Sequence, residues 1–196
     1  MILRKFSTGI DTLYLKNKIL KNEPKIIKKY PPLGFDKKPT DGHTGLGQNS
    51  LTSRFFQYNL LDWWGTTNLR KTIKKNYLDF LNLKEQDIFV QCWANVMRNG
   101  DKIKPHNHSQ EKTSLDLNMV SGNLFIYCDK VTKTYYQNQE ILNKTGDMVL
   151  FPSHILHSTD KYVGCDCRIS IAFDIRTKKC LELDVHPDAH HHWKKI

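Results

Sequence analysis

Three histidines and one arginine follow one another in an order that could form a metal site beside an anion anchor. His106 and His108 are separated by one residue, His157 follows 49 positions after His108, and Arg168 lies 11 positions further on. Side chains two residues apart in an extended segment point to the same side, so His106 and His108 can converge on one ion. Three imidazoles suit iron, zinc, copper or nickel and leave coordination positions open, as a catalytic metal requires.

The spacing alone leaves alternatives for this site. His154 lies three residues before His157 and competes with it as the third ligand. Asp116 could supply a carboxylate, although no spacing argument supports it. In the plainest interpretation, His106 and His108 are exposed loop residues that follow a turn and bind nothing.

Arg168 begins a stretch whose alternation predicts a strand with two different faces. Ile169, Ile171 and Phe173 point to one face, whereas Arg168 and Ser170 point to the other. An arginine on the inward face of such a strand is costly unless it is paired. A guanidinium with a hydroxyl two residues further on can grip a carboxylate, so we predict an anchor for an acidic co-substrate. The alternative is an arginine on a solvent-exposed face.

The elements that must position these side chains are an N-terminal group of helices followed by many short strands. This order predicts an α+β chain, mainly β, with a sandwich or barrel core. We divide the chain into a basic, partly irregular extension over residues 1–50 and one domain over 51–196, with its core at about 87–176 and a polar C-terminal tail. His43 in the extension and the tail histidines are given no catalytic role. Helices are predicted at about 11–21 and 66–83, and strands at 87–96, 118–128, 133–137, 147–151 and 167–175.

The charge of the chain is unevenly distributed. Its formal net charge is +10, and residues 1–40 hold ten Lys and Arg against three acidic residues. Such an arm could bind phosphate backbones or an acidic protein surface. It lacks the interleaved aromatic residues typical of base stacking, so a solubilising arm is the simpler interpretation.

Cysteine usage and hydropathy point to a cytoplasmic protein. The five cysteines are odd in number and have no framework spacing, which favours reduced thiols. Cys165 and Cys167 form a Cys-x-Cys pair, a weak metal or redox signal. No apolar run approaches the roughly 20 residues that span a bilayer, and the first residues lack the features of a secretion signal. We therefore expect no membrane partner.

The region from about residue 93 to 173 resembles the iron(II)- and 2-oxoglutarate-dependent oxygenases, in particular a small prolyl hydroxylase-like subfamily. Six short motifs appear in the order seen there. They are Trp93-Ala94-Asn95, His106-Asn107-His108, Ser121-Gly122, Gly146-Asp147, Phe151-Pro152-Ser153 with His157, and Arg168-Ile169-Ser170. Residues 1–60 have no such support.

The resemblance implies a double-stranded β-helix of the jelly-roll or cupin type. It implies that Fe²⁺ is held by His106, His108 and His157, that 2-oxoglutarate and O₂ are co-substrates, and that ascorbate is a candidate reductant. The distal carboxylate of 2-oxoglutarate would pair with Arg168 and Ser170. Further cofactor contacts are expected from two residues, Asn95 and Tyr127.

The implied reaction hydroxylates or demethylates a C–H bond, with a protein or peptide side chain as first candidate substrate. A nucleic-acid substrate is the alternative that the basic arm keeps open. Other readings are a three-histidine cupin-type dioxygenase and a non-catalytic metal-binding barrel. Most members of the superfamily have a carboxylate where this chain has His108. A neutral imidazole at this position would leave the metal site one charge unit more positive.

Overall fold

The computed structural model describes residues 3–34, 37–183 and 192–196. Within these residues the chain forms four α-helices and nine strands, with 3₁₀ turns at Thr52–Arg54 and Leu60–Asp62. The helices are α1 Thr12–Lys29, α2 Thr67–Leu81, α3 Glu111–Asp116 and α4 Lys178–Glu182. The strands are β1 Arg4–Ser7, β2 Phe89–Met97, β3 Val120–Cys128, β4 Lys133–Tyr136, β5 Gln139–Leu142, β6 Asp147–Pro152, β7 His157–Thr159, β8 Arg168–Arg176 and β9 Lys194–Lys195.

The strands form two antiparallel sheets. The larger has six strands in the order β1-β6-β3-β8-β2-β9, and the smaller has three in the order β5-β4-β7. The predicted architecture, helices with a mostly β, antiparallel core, is confirmed at this level. None of the helices in the described residues is long and apolar enough to cross a bilayer.

Strand β8 separates the hydrophobic core from the polar interior. Ile169, Ile171 and Phe173 belong to the main core cluster, together with Leu15 of α1 and Ile73 of α2. The alternate positions of β8 face the other way and line a cavity. Because a strand sends successive side chains to opposite faces, the helices cover one face of the large sheet and the polar site occupies the other.

Residues near the start of the chain are part of this core. Strand β1 pairs with β6, and Asp11 caps α1 by accepting a hydrogen bond from the Tyr14 amide at 2.9 Å. The helix runs through Pro24, which the sequence had suggested as a break. Ile26, beyond the proline, is buried, and packing of this last part of α1 offsets the hydrogen bond that proline cannot make.

The segment 192–196 returns to the edge of the large sheet. Strand β9 pairs with β2, and Ile88 and Ile196 exchange two backbone hydrogen bonds of 3.2 and 2.9 Å. Asn59 donates from its side-chain amide to the carbonyl of His192 at 2.7 Å. These contacts fix Trp193 beside the cavity. Most of the predicted histidine-bearing tail (residues 184–191) lies outside the described residues.

Gly122 lies where β3, β6 and β8 pack most tightly. A Cβ at this position would be 2.3 Å from Phe173 Cζ and 2.7 Å from Leu150 Cδ2. We expect Gly122→Ala to lower the free energy of unfolding by about 1–3 kcal/mol, because overpacking forces neighbouring side chains from their rotamers. Urea unfolding measures this. Phe173→Leu in the same background should recover part of the loss, and additive losses would contradict a steric clash.

Candidate metal and anion site

The three histidines predicted from the sequence lie together. His106 and His157 are joined by two backbone hydrogen bonds of 3.1 and 2.9 Å, and the His108 amide donates to the Ser153 carbonyl at 2.8 Å. Their ring centroids are 4.3 to 5.2 Å apart. One candidate ligand nitrogen from each ring lies within 4.8 Å of the other two. This group could hold one metal ion.

The hydrogen bonds of the rings show which nitrogen each has available. His106 Nδ1 lies 2.8 Å from the Lys104 carbonyl, and His157 Nδ1 lies 3.0 Å from the Ile155 carbonyl. A carbonyl only accepts, so both Nδ1 atoms carry the proton. His108 Nδ1 lies 2.6 Å from Asp174 Oδ1. All three Nε2 atoms are thus left for a metal, with their rings oriented by outer partners.

Burial favours the neutral form of two of these imidazoles. It lowers the pKa of His106 to about 4, with His108 as the next contribution. Burial also lowers the pKa of His157, and the neighbouring His106 and His108 add to this effect. A histidine must be neutral to bind a metal, and in the folded protein these two rings are neutral at neutral pH.

Asp174 is a functional candidate that the sequence analysis missed. Burial would raise its pKa, but the nearby His108 and the hydrogen bonds from His108 and Ser121 lower it below its usual value. Ser121 donates to Asp174 Oδ1 at 2.6 Å. Asp174 lies six residues after Arg168, so the strand alternation that places Arg168 on the inward face places Asp174 there too. The sequence therefore contained the pattern that points to Asp174.

The two competing ligands are not part of the described histidine group. His154 is half-buried in the turn before β7, and its carbonyl accepts a hydrogen bond from Asn107 at 3.3 Å. Asp116 is exposed at the end of α3. Among the described residues, the third candidate ligand beside His106 and His108 is therefore His157, and neither His154 nor Asp116.

The histidines open into a cavity of about 250 Å³ between the sheets. Arg168 and Ser170 line it from β8, and Asn95 lines it from β2. Asn95 pairs with Ser170 in register, and its side-chain oxygen accepts a hydrogen bond from the Thr52 hydroxyl at 2.6 Å. Three of the four predicted cofactor contacts thus share one cavity with the histidines.

Arg168 is a buried cation held by neutral groups. It is 3% exposed, and it donates to Thr134 Oγ1 at 3.1 Å and to Met97 Sδ at 2.9 Å. With the Asn143 amide turned to satisfy both of its ends, the Asn143 oxygen also accepts from the guanidinium at 2.9 and 3.0 Å. Burial lowers the pKa of Arg168, and no carboxylate among the described residues pairs with it. A buried charge of this kind favours an anionic ligand.

Tyr127, the fourth predicted contact, lies away from the cavity. A β-bulge shifts the register of β3 between Phe125 and Tyr127. Phe125 pairs with Ser170 but Tyr127 pairs with Ile169, so the extra residue turns the Tyr127 side chain to the helix-covered face. There the Lys16 ammonium lies 3.1 Å from its ring centroid. The bulge interrupts the simple alternation that would have turned Tyr127 to the same face as Phe125.

Two cavity walls come from segments to which the sequence analysis gave no role. His43 lines the cavity from a loop in which Asp41 accepts hydrogen bonds from the His43 and Gly45 amides at 2.9 and 3.0 Å. Trp193 lines it from the segment 192–196. Both are brought in by long-range contacts that local patterns do not reveal.

Comparison with known proteins gives structural matches only. No protein-family model matches the sequence, and no curated protein does. Solved structures of two prolyl hydroxylases and of an α-ketoglutarate-dependent epimerase match over most of the chain. Because the sequence identities are low, these matches show the fold alone.

These three matching structures have TM-scores of 0.51 to 0.54 and sequence identities of 9% to 14%. The viral collagen prolyl hydroxylase of Paramecium Bursaria Chlorella virus-1, solved with 2-oxoglutarate, has a TM-score of 0.54 and 12% identity over 90% of this chain and 97% of its own. A Pseudomonas putida prolyl-4-hydroxylase has a TM-score of 0.51 and 14% identity over 89% and 92%. The non-heme α-ketoglutarate-dependent epimerase SnoN of nogalamycin biosynthesis has a TM-score of 0.54 and 9% identity over 88% and 76%.

Proposed function

We propose that this protein is an iron(II)- and 2-oxoglutarate-dependent dioxygenase that oxidises a substrate C–H bond, with a double-stranded β-helix as its core. One observation carries the proposal. Three imidazoles whose Nε2 atoms are available open into the same cavity as a buried guanidinium that no described carboxylate neutralises. A dianionic keto acid that chelates a metal at one end and needs a cation at the other matches both features.

His106, His108 and His157 are the proposed ligands. Three protein ligands leave positions open for the keto acid and for oxygen. When bound, iron(II) with 2-oxoglutarate would supply the oxidising chemistry, in which O₂ is consumed and 2-oxoglutarate loses carbon dioxide. The protein holds the three rings in one tautomer and orientation through Lys104, Ile155 and Asp174.

Arg168 and Ser170 are the proposed anchor for the distal carboxylate of 2-oxoglutarate. The guanidinium offers a fork of donors that matches a carboxylate, and Ser170 adds a hydroxyl on the same face of β8. Asn95, opposite Ser170, is held by Thr52 and is a proposed neighbour of the co-substrate. The buried position of Arg168 excludes water that would weaken the ion pair.

Asp174 offsets the change that His108 makes in the ligand set. A carboxylate ligand would carry one negative charge, which an imidazole lacks. Asp174 lies 2.6 Å from His108 Nδ1 and restores a negative charge one shell further out. We therefore propose that the His108–Asp174 pair takes the place of the usual carboxylate ligand.

The substrate favoured by this proposal is a peptide side chain or another small group. Two of the similar structures are prolyl hydroxylases. Helix α1, which carries much of the basic charge, packs on the face of the large sheet that lies away from the cavity. Its lysines are therefore not positioned to bring a nucleic acid to the histidines. The odd number of cysteines and their lack of framework spacing favour a reducing compartment such as the cytoplasm.

Anaerobic absorption spectroscopy tests the proposal without a known substrate. We expect a weak visible charge-transfer band when iron(II) and 2-oxoglutarate are added together, and no band with either alone or with zinc. A protein that binds iron and 2-oxoglutarate but shows no band would contradict chelation. Release of carbon dioxide from 2-oxoglutarate, assayed with ascorbate, would then separate an oxygenase from a cupin-type dioxygenase or a non-catalytic barrel.

A further inference from the structure

Helix α1 carries a row of lysines along one side. Successive members are three, four and three residues apart, a spacing that puts them on one face of a helix. They are Lys18, Lys21, Lys25 and Lys28, which we call the lysine row. Ten residues separate the first lysine from the last, about 15 Å at 1.5 Å per residue. The row therefore forms a continuous positive edge on the outside of the helix.

The helix does not neutralise this row. Glu23 is its only acidic residue, and it is buried and paired with both terminal nitrogens of Arg98 at 2.9 and 2.7 Å. Lys21, Lys25 and Lys28 are exposed. The ion pairs among the described residues involve other lysines. A row of like charges without counter-charges attracts an anionic partner.

Trp64 lies at the start of the lysine row, although it is 46 residues from Lys18 in the chain. Its carbonyl accepts hydrogen bonds from the Tyr14 hydroxyl at 3.1 Å and from the Lys18 ammonium. The Lys18 nitrogen also lies 5.4 Å from the centroid of the Trp64 ring. Asp62, two residues earlier, is already paired with Lys194. The Trp64 backbone is thus held against α1, whereas 84% of the residue is exposed.

A second aromatic ring lies at the other end of the row. Lys29 follows the row directly, and its ammonium lies 4.7 Å from the centroid of the Tyr30 ring. The Tyr30 carbonyl accepts a hydrogen bond from Arg54 at 2.8 Å, which fixes this end of the helix. Proteins that bind single-stranded nucleic acids combine cations along the backbone with aromatic rings that stack on unpaired bases. Folding supplies, at Trp64, an exposed tryptophan that residues 1–40 lack.

Other anionic partners match this surface less well. An amphipathic helix that binds a membrane inserts its apolar face, but in α1 that face is buried in the core at Leu15, Ile19 and Ile26. A nucleic-acid duplex keeps its bases stacked on one another, so it offers no free base to an exposed ring. An acidic protein surface matches the charge of the row but not the ring of Trp64.

We propose that the lysine row and Trp64 form a binding site for single-stranded nucleic acid, with phosphates along the lysines and an unpaired base stacked on Trp64. Helix α1 packs on the face of the large sheet that lies away from the cavity. The site therefore docks the protein on a nucleic acid without presenting a base to the histidines. This inference does not depend on the proposed function.

Fluorescence anisotropy of the full chain with a labelled oligouridine of about twelve nucleotides tests the inference. Four phosphate contacts predict a slope of about −3 for log K against log salt, so binding should weaken about fiftyfold between 50 and 200 mM salt. An abasic strand of the same length keeps the phosphates but has no base to stack, and we expect it to bind about tenfold more weakly.

Variants of Trp64 separate stacking from charge. Trp64→Ala should weaken binding of the oligouridine about tenfold, and Trp64→Phe should weaken it less. Binding of the abasic strand, and of a duplex of the same length, should be the same in Trp64→Ala as in the wild type. Unchanged binding of the oligouridine in Trp64→Ala would overturn the inference. Trp64 does not line the cavity, so this variant should keep the charge-transfer band, and either proposal can fail while the other holds.

Paired lysine variants locate the charge. Replacing Lys21 and Lys25 together with glutamine should make the salt slope less steep by about 1.4, since two phosphate contacts are lost. Replacing Lys71 and Lys75 of α2 together with glutamine is the matched control, because both are exposed and the change in net charge is the same. Equal losses in the two double variants would show that net charge alone attracts the strand. Displacement of the strand by polyglutamate as effective as by unlabelled oligouridine would assign the surface to an acidic protein instead.

Discussion

Arg168→Met is expected to raise the Kd for 2-oxoglutarate by about a hundredfold to a few thousandfold. Removing one partner of a buried ion pair costs about 3–5 kcal/mol, because the remaining charge is left without compensation. In this variant the distal carboxylate would lie against Thr134 and Met97 in place of a guanidinium. Titration of the anaerobic charge-transfer band measures the change.

The comparison with two other variants makes this result specific. Arg168→Lys keeps the charge but loses the fork of donors, so it should recover only part of the affinity. Arg176→Met removes an arginine from the other end of β8 and should leave the Kd for 2-oxoglutarate within a few-fold. Equal losses in Arg168→Met and Arg176→Met would show that general charge, and not an anchor at Arg168, attracts the co-substrate.

Arg168→Met should lose affinity for 2-oxoglutarate without losing stability in the ligand-free state. Without 2-oxoglutarate, Arg168 is a buried charge whose partners among the described residues are all neutral, and replacing it with an apolar side chain of similar length removes that cost. We expect ligand-free Arg168→Met to be at least as stable as the wild type. Saturating 2-oxoglutarate should then stabilise only the wild type, by about 2.7 kcal/mol at a hundred times its Kd. Thermal unfolding with and without 2-oxoglutarate reads both effects.

The parts of the site that the sequence could reveal are those set by local geometry. The two-residue spacing of His106 and His108 and the alternation of β8 depend only on the chain being extended, and both are seen in the structure. The same alternation pointed to Asp174, whose role became visible only beside His108. Strand alternation does not hold at Tyr127, because one bulge in β3 changes the face that its side chain occupies.

The remaining walls depend on contacts between distant parts of the chain. His43 is carried by a loop whose conformation Asp41 sets, and Trp193 is carried by a segment that pairs with an edge strand. Neither position has a periodic pattern or a spacing that could relate it to the histidines. Basic and polar composition made both segments look like solvated ends, although tertiary packing places them at the site.

His157→Ala is expected to abolish stoichiometric binding of iron(II), whereas His154→Ala should leave it intact. His157 is buried, and its Nε2 is one of three that can reach a single ion. With two imidazoles left, the site loses a ligand that no described residue of the group can replace. His154 is the matched control, since it lies three residues earlier, in the turn before β7, and is only half-buried. Anaerobic metal titration, with folding checked by circular dichroism, gives the stoichiometry.

Asp174→Asn should produce an intermediate loss in the same titration. The amide can still accept a hydrogen bond from His108 Nδ1, but it no longer supplies the negative charge behind that ring. Loss of such an outer partner typically weakens metal binding by about ten- to a hundredfold. A graded series, with His157→Ala far weaker than Asp174→Asn and His154→Ala equal to the wild type, is the expected result. If Asp174→Asn binds iron(II) as tightly as the wild type, the carboxylate does not compensate for the imidazole at position 108, and the metal tolerates a purely neutral ligand set.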